Sequence, residues 1–329
     1  MKVAVFSCKP YDKRTLTHFA ATTELSMTYF ESRLSMETIS LVKGFDAVSC
    51  FVNDDINAQV IRLLKQQGVT TIALRCAGFN NVDLEAAKAE GIKVFHVPDY
   101  SPTSVAEHAV ALIMTLNRKT HRAYHRVKEG NFALEGLMGF NLEGKTVGCI
   151  GTGRIGAAFC RIMKGFGCRV LCYDLHPSQT LIQQGCQYIP LDELYQQSDI
   201  ISLHCPLNPA THHLINKDSL DKMKDGVMII NTSRGALVHA QEAIDALYSG
   251  KIGYLGLDVY EQENKIFFED MSSHIIQDSV FQLMLTFPNV VVTGHQGYFT
   301  DEALNHIAET TIDNLLHHQS DSSGARQLA

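Results

Sequence analysis

The chain has 329 residues, 45 % hydrophobic and 19 % charged, and its 28 Lys and Arg against 35 Asp and Glu leave a net charge of −7. That length suggests about two domains, and the apolar content excludes general disorder. The acidic balance argues against a surface built to coat nucleic acid or an anionic membrane.

The first residues, Val3-Ala4-Val5-Phe6, stop at Ser7, with Lys9-Pro10 following. This is not an export-signal pattern, so a cytoplasmic location and free thiols are expected. Strand-like runs follow at Val3–Ser7, Ala47–Val52, Thr71–Arg75 and Lys93–His96. Helical patterns lie between them, at Ala58–Gln67 and Val82–Glu90, and Gly68 and Gly91 stand where helices stop. Such alternation predicts a parallel sheet covered on both faces. Pro98 and Pro102 mark a break, after which Ser104 to about Val127 reads as one long helix with a basic second half. The apolar run Ala109–Met114 within it is far short of a bilayer span.

Alternation restarts with strands at Thr146–Ile150, Arg169–Tyr173, Ile200–His204, Val227–Thr232, Tyr254–Leu257 and Val290–Thr293. Six strands with intervening helices predict a complete doubly wound sheet. Residues 259–288 read as an irregular acidic loop with a short helix, and a last helix is expected over Asp301–His317. The Ser-rich tail Gln319–Ala329 reads as loose.

The nine cysteines, at 8, 50, 76, 149, 160, 168, 172, 186 and 205, contain no C-x-x-C pair and read as small packing residues. The fifteen histidines are scattered, and the pairs His212-His213 and His317-His318 lie in polar context. No metal site is expected from this pattern.

Gly151-Thr152-Gly153-Arg154-Ile155-Gly156 follows one strand and opens a helix. Gly151 permits the tight turn, Gly153 lets backbone approach a pyrophosphate, and Gly156 lets the helix pack close to its strand. The helix N-terminus then faces the phosphates. Asp174 closes the next strand, where a carboxylate accepts the ribose hydroxyls and repels a 2′-phosphate. The pair predicts NAD over NADP.

Ligands of open α/β sheets bind beyond the carboxyl ends of the strands. Those ends deliver Cys205-Pro206, Ser233-Arg234, Asp258 and Gly294-His295. Arg234 has the fork to hold a carboxylate bidentately. His295 is placed to exchange a proton near neutral pH. Glu261 or Glu263 could orient that histidine and stabilise its charge. A hydride donor, a proton donor and a carboxylate anchor are what reduction of a 2-oxo acid requires.

The chain resembles the D-isomer-specific 2-hydroxyacid dehydrogenases, and within them the fermentative D-lactate dehydrogenases of bacteria. The resemblance covers nearly the whole chain. It rests on Arg75 to Asp83 (RCAGFNNVD), the glycine motif, His204-Cys205-Pro206-Leu207, Asn231 to Gly235 (NTSRG), Gly256 to Glu261 (GLDVYE), and Gly294-His295-Gln296. It implies two Rossmann-like or flavodoxin-like α/β domains with the active site in the cleft between them. Residues 1–100 and 298–329 would form the catalytic domain, and 101–297 the NAD-binding domain.

The catalytic set it implies is Arg234, Glu263 and His295, with Glu263 preferred over Glu261. Cofactor contacts would come from Gly151, Gly153, Arg154, Ile155, Gly156, Asp174, Cys205, Pro206, Thr232, Ser233 and Asp258, with Thr211 near the adenosine. Cys76, Ala77 and Gly78 would receive the substrate carboxylate, and Tyr100 would close over it. The implied activity is NADH-dependent reduction of pyruvate to D-lactate, in a homodimer or homotetramer. The competing readings are a larger 2-oxo acid as substrate, and an NAD-sensing corepressor on the same fold. Gly297 departs from the small side chain usual in relatives, so this stretch leaves substrate size open.

Overall fold

A computed structural model describes residues 1–263, 266–317 and 326–329. It divides into two compact units, Met1–Ser101 with Phe299–Ala329, and Pro102–Tyr298. No helix among the described residues is long and apolar enough to cross a membrane.

The first unit is built on strands β1 (Lys2–Val5), β2 (Ser26–Tyr29), β3 (Ala47–Cys50), β4 (Thr71–Leu74) and β5 (Lys93–Phe95), all parallel, in the order β2-β1-β3-β4-β5. This is the flavodoxin-type order. Strands β3 and β4 are buried at every residue, as a sheet covered on both faces requires. Helix α1 spans Pro10–Ala20, α2 Ala58–Gln66 and α3 Leu84–Glu90. Asn57 caps α2 by accepting from the Gln59 and Val60 N–H groups, and α3 ends on Gly91 in the left-handed conformation. Strand β2 escapes a pattern reading because it is a four-residue edge strand with alternate residues exposed.

The tail departs from expectation in its last four residues. Leu328 N–H donates to Val94 O, Val94 N–H to Ala329 O and His96 N–H to Arg326 O. The free edge of β5 thus takes up a segment that composition alone marks as loose. Residues 318–325, including His318, lie outside the described residues.

The second unit carries α4 (Pro102–Arg118), α5 (Thr120–Lys128) and seven parallel strands. These are β6 (Thr146–Ile150), β7 (Arg169–Tyr173), β8 (Gln187–Tyr188), β9 (Ile200–Leu203), β10 (Val227–Asn231), β11 (Ile252–Leu257) and β12 (Val290–Val292). Their order is β12-β11-β10-β9-β6-β7-β8. Alternation along β10 feeds two cores: Val227 and Ile229 join one face, Met228 and Ile230 the other. Two-residue β8 is too short to leave a sequence signal.

The expected single helix over 104–127 is two helices. Lys119 sits between them at φ +49°, and its ammonium donates to Met138 O at 2.7 Å. Asn117 exchanges hydrogen bonds of 2.8 Å with both backbone groups of Phe140. Helix α5 buries no residue, so its basic stretch has no packing to keep it in line with α4.

Helix α6 (Arg154–Gly165) starts at the glycine motif. A Cβ on Gly156 would lie 2.0 Å from Gly151 O, whereas one on Gly153 would meet nothing within 4 Å. Gly156→Ala is therefore expected to cost about 3 kcal/mol of unfolding free energy and Gly153→Ala under about 0.5. Urea denaturation of the two variants checks this.

Candidate active site

The glycine loop lies at the switch point of the sheet, between β6 and β9. Gly151 has φ +90°, and a Cβ there would press within 2.5 Å of Cys205 N, so the loop and the start of the β9 turn touch through backbone. Gly153 caps α6 without a side chain, and the first turn carries no acid. The orphan N–H groups and the positive helix end are thus left for an anion. Asp174 accepts from Thr152 N–H at 2.6 Å, from the Thr152 hydroxyl at 3.2 Å and from His176 N–H at 2.8 Å. Burial would raise its pKa, but these hydrogen bonds outweigh burial and hold the carboxyl below its usual range. Tyr188 Oη donates to Thr152 Oγ1 at 2.8 Å and so ties β8 to the same loop.

Around the next two strand ends, Thr211 Oγ1 donates to Pro206 O at 2.6 Å and closes the 206–211 turn. Ser233 Oγ donates to Cys205 O at 2.7 Å, which couples the ends of β9 and β10. Thr232 Oγ1 is buried and has no hydrogen-bond partner among the described residues. Buried hydroxyls are seldom left so, and this one suits a polar group of a bound cofactor. The open helix end, the side-chain-free approach at Gly153 and the unsatisfied Thr232 hydroxyl together fit a dinucleotide.

Arg234 is half-buried, with Nη1 donating to Ser233 O at 2.7 Å. Asn231 fixes its backbone, donating to Arg234 O at 2.8 Å and accepting from Ser233 N–H at 3.0 Å. Gly235 follows for a steric reason: a Cβ there would sit 2.1 Å from Tyr260 C. The β10 and β11 turns therefore approach closely enough to put Arg234 beside the 258–263 segment.

Asp258 organises that segment. It is 1 % exposed, and its Oδ1 accepts from Thr293 Oγ1 at 2.5 Å and Gln296 N–H at 2.9 Å. Its Oδ2 accepts from Gly297 N–H at 2.8 Å. Its carbonyl accepts His295 N–H at 2.8 Å. Burial pushes the carboxyl up, but hydrogen bonds from His108 and Thr293, and the His108 charge, outweigh it and hold the pKa below the ordinary value. His295 stands on this braced loop at φ +55°, a conformation uncommon for a residue with a Cβ and typical of sites where surroundings over-determine the backbone. Its Nδ1 meets Glu263 Oε1 at 2.9 Å, while Glu263 Oε2 accepts Tyr260 N–H at 2.9 Å. With Nδ1 committed, Nε2 is the atom left for chemistry. The Phe268 ring lies 5.6 Å from the imidazole.

Glu261, the other acid that the residues alone left open, reaches His213 at 2.7 Å instead. His108 has no counterpart among the sequence expectations. From α4 its Nε2 lies 2.9 Å from Thr293 Oγ1 and 3.2 Å from Asp258 Oδ1. It reads as one of many helix positions until the tertiary contact is known.

In the first unit, Cys76, Ala77 and Gly78 follow β4 at its carboxyl end. Val97 N–H donates to Cys76 O at 3.1 Å, His96 Nδ1 lies 2.9 Å from Ala77 O, and Cys76 Sγ donates to Gly78 O at 3.2 Å. The turn's carbonyls are thus occupied from within the unit.

The model of the NAD-binding domain of the D-isomer specific 2-hydroxyacid dehydrogenases matches residues 110–297. The D-lactate dehydrogenase of Escherichia coli (strain K12) is 52 % identical over 315 residues, covering 96 % of each chain. The solved pyruvate reductase of Chlamydomonas reinhardtii superposes with a TM-score of 0.93 at 46 % identity, over 97 % of this chain and 96 % of its own. Salmonella D-lactate dehydrogenase does so with a TM-score of 0.88 at 51 % identity, over 100 % of both. The chain belongs to the D-isomer-specific 2-hydroxyacid dehydrogenase family, and NAD is its cofactor.

Asp258→Asn removes one buried acceptor and is expected to cost about 2–3 kcal/mol at pH 7. The native carboxyl has the lower pKa, so the unfolded chain, at about 3.9, takes up its proton first. The gap between wild type and variant should be full above about pH 4 and close as pH falls through the native value. Denaturant unfolding across that range measures it.

Proposed function

We propose that this protein reduces pyruvate to D-lactate with NADH, reversibly, using His295 as proton donor. The observation that carries the reading is the Glu263–His295–Asp258 assembly beside Arg234, at the strand ends of an NAD-binding sheet. The D-lactate dehydrogenase and pyruvate reductase names of its relatives support the substrate.

The cofactor supplies or accepts the hydride. Arg234 pairs its fork with the substrate carboxylate and stabilises charge developing on the keto oxygen. Imidazolium His295 delivers its Nε2 proton to the forming alkoxide while Nδ1–H stays on Glu263. In lactate oxidation the neutral imidazole accepts that proton back. Glu263 is a positioning residue: it fixes the tautomer, and its own backbone anchor at Tyr260 keeps it there. Gly151, Gly153, Arg154, Ile155, Gly156, Asp174, Cys205, Pro206, Thr211, Thr232, Ser233 and Asp258 form the cofactor part of the proposal. Cys76, Ala77, Gly78 and Tyr100 form its substrate part, supported by the family resemblance. A cytoplasmic homodimer or homotetramer completes it.

His295→Gln is expected to cut kcat by about 10³-fold or more with NADH affinity unchanged, read by steady-state rates and NADH fluorescence titration. Arg234→Lys should raise KM for pyruvate by at least about tenfold, because a point charge cannot reproduce the bidentate fork. Oxidation of D-lactate but not L-lactate, with NAD strongly preferred over NADP, is the outcome expected of wild type. A preference for L-lactate or for a larger hydroxy acid would displace the reading.

A further inference from the structure

The sulfur atoms of Cys160, Cys172 and Cys186 all lie within 4.8 Å of one another, and the three residues are buried. They come from three elements: the inner face of α6, the middle of β7 and the turn before β8. Their sequence spacings of 12 and 14 residues match no ligand motif, which is why a scan for paired cysteines passes over them.

We propose that Cys160, Cys172 and Cys186 form a thiolate site for one soft d¹⁰ cation of the zinc(II) class, bracing α6 against β7 and β8. The geometry favours it. Zinc–thiolate bonds of about 2.3 Å in a tetrahedron set sulfur atoms about 3.8 Å apart. Cys160 Sγ and Cys172 Sγ are already 3.6 Å apart. Soft thiolates select such ions over magnesium or calcium, which need hard oxygen ligands. The surroundings are apolar, with Phe159, Met163 and Leu181 in the same core. Charge compensation is at hand. Lys164, one turn after Cys160, reaches Gly185 O at 3.4 Å and acts on Cys186 as the nearby cation. Cys149 adjoins Cys160 but lies outside the 4.8 Å group, with its thiol directed at Gly151 O at 3.4 Å. It is a candidate for a fourth position.

Binding balances as a divalent ion replacing three thiol protons, which leaves a tris-thiolate of charge −1 and three protons in solution. No electron transfer is involved. The entry point is Cys186, which is 4 % exposed where Cys160 and Cys172 are 0 %.

The test is titration of the reduced full-length protein with cadmium(II), following the ultraviolet cadmium–thiolate charge-transfer band and proton release in weak buffer. The expected result is a band saturating at one ion per chain, with three protons released, reversed by excess zinc(II). It should be retained in Cys8→Ser and lost in Cys160→Ser/Cys172→Ser/Cys186→Ser. Should the triple variant not fold, Cys186→Ser alone should lower the affinity by at least about tenfold, since one of three ligands is gone. Wild type with no saturable band, or a band unchanged in these variants, would overturn the site. Neither outcome bears on the dehydrogenase reading.

Discussion

One buried carboxylate holds the reactive end of the second unit together. Asp258 leaves the end of β11 and accepts hydrogen bonds from three groups of the segment after β12: the Thr293 hydroxyl and the Gln296 and Gly297 N–H groups. A buried anion is costly unless its lone pairs are filled, so the segment must adopt the course that fills them. That course puts His295 at a positive φ. The strain of order 1 kcal/mol in such a backbone is offset by charge-assisted bonds on either side.

The orientation of the imidazole follows from the same constraint. With the His295 N–H on Asp258 O, the side chain is presented to Glu263, whose second oxygen is tied to Tyr260 N–H. Glu263 is thus itself held by backbone. Gly235 brings the Arg234 turn against Tyr260, so Arg234 and His295 share one foundation. His108 closes the arrangement from α4, and its contact with Thr293 and Asp258 makes a helix far off in sequence part of the histidine's support.

Much of this was legible beforehand, for reasons that differ by element. Strands β6 and β7 match expectation residue for residue, because each is built round a buried, largely apolar stretch, Val147–Ile150 and Val170–Cys172. Edge strand β2 and two-residue β8 leave no such run. The break at Lys119 was not legible, since helix pattern persists on both sides of it. The cause lies at Met138 and Phe140, whose backbone carbonyls bond the side chains at the break. The last four residues pair with β5 through backbone groups, which carry no compositional signature.

The sequence by itself determined the alternating α/β order, the glycine turn before α6 and the acid at Asp174. Each depends on local sterics or on periodicity within one element. It also brought Arg234, Asp258 and His295 to one sheet edge, since parallel strands all end on the same side. Tertiary structure sets Glu263, which the family resemblance prefers, against His295 and sends Glu261 elsewhere, a choice the residue types alone leave open. The two acids are two residues apart, and only the path of the chain sends one to His213 and the other to His295. It also decided that His108 supports Asp258, and that three cysteines spread over 27 residues of chain share one pocket of the core. Contacts of that kind are set by how elements pack, and side-chain type and spacing do not encode them.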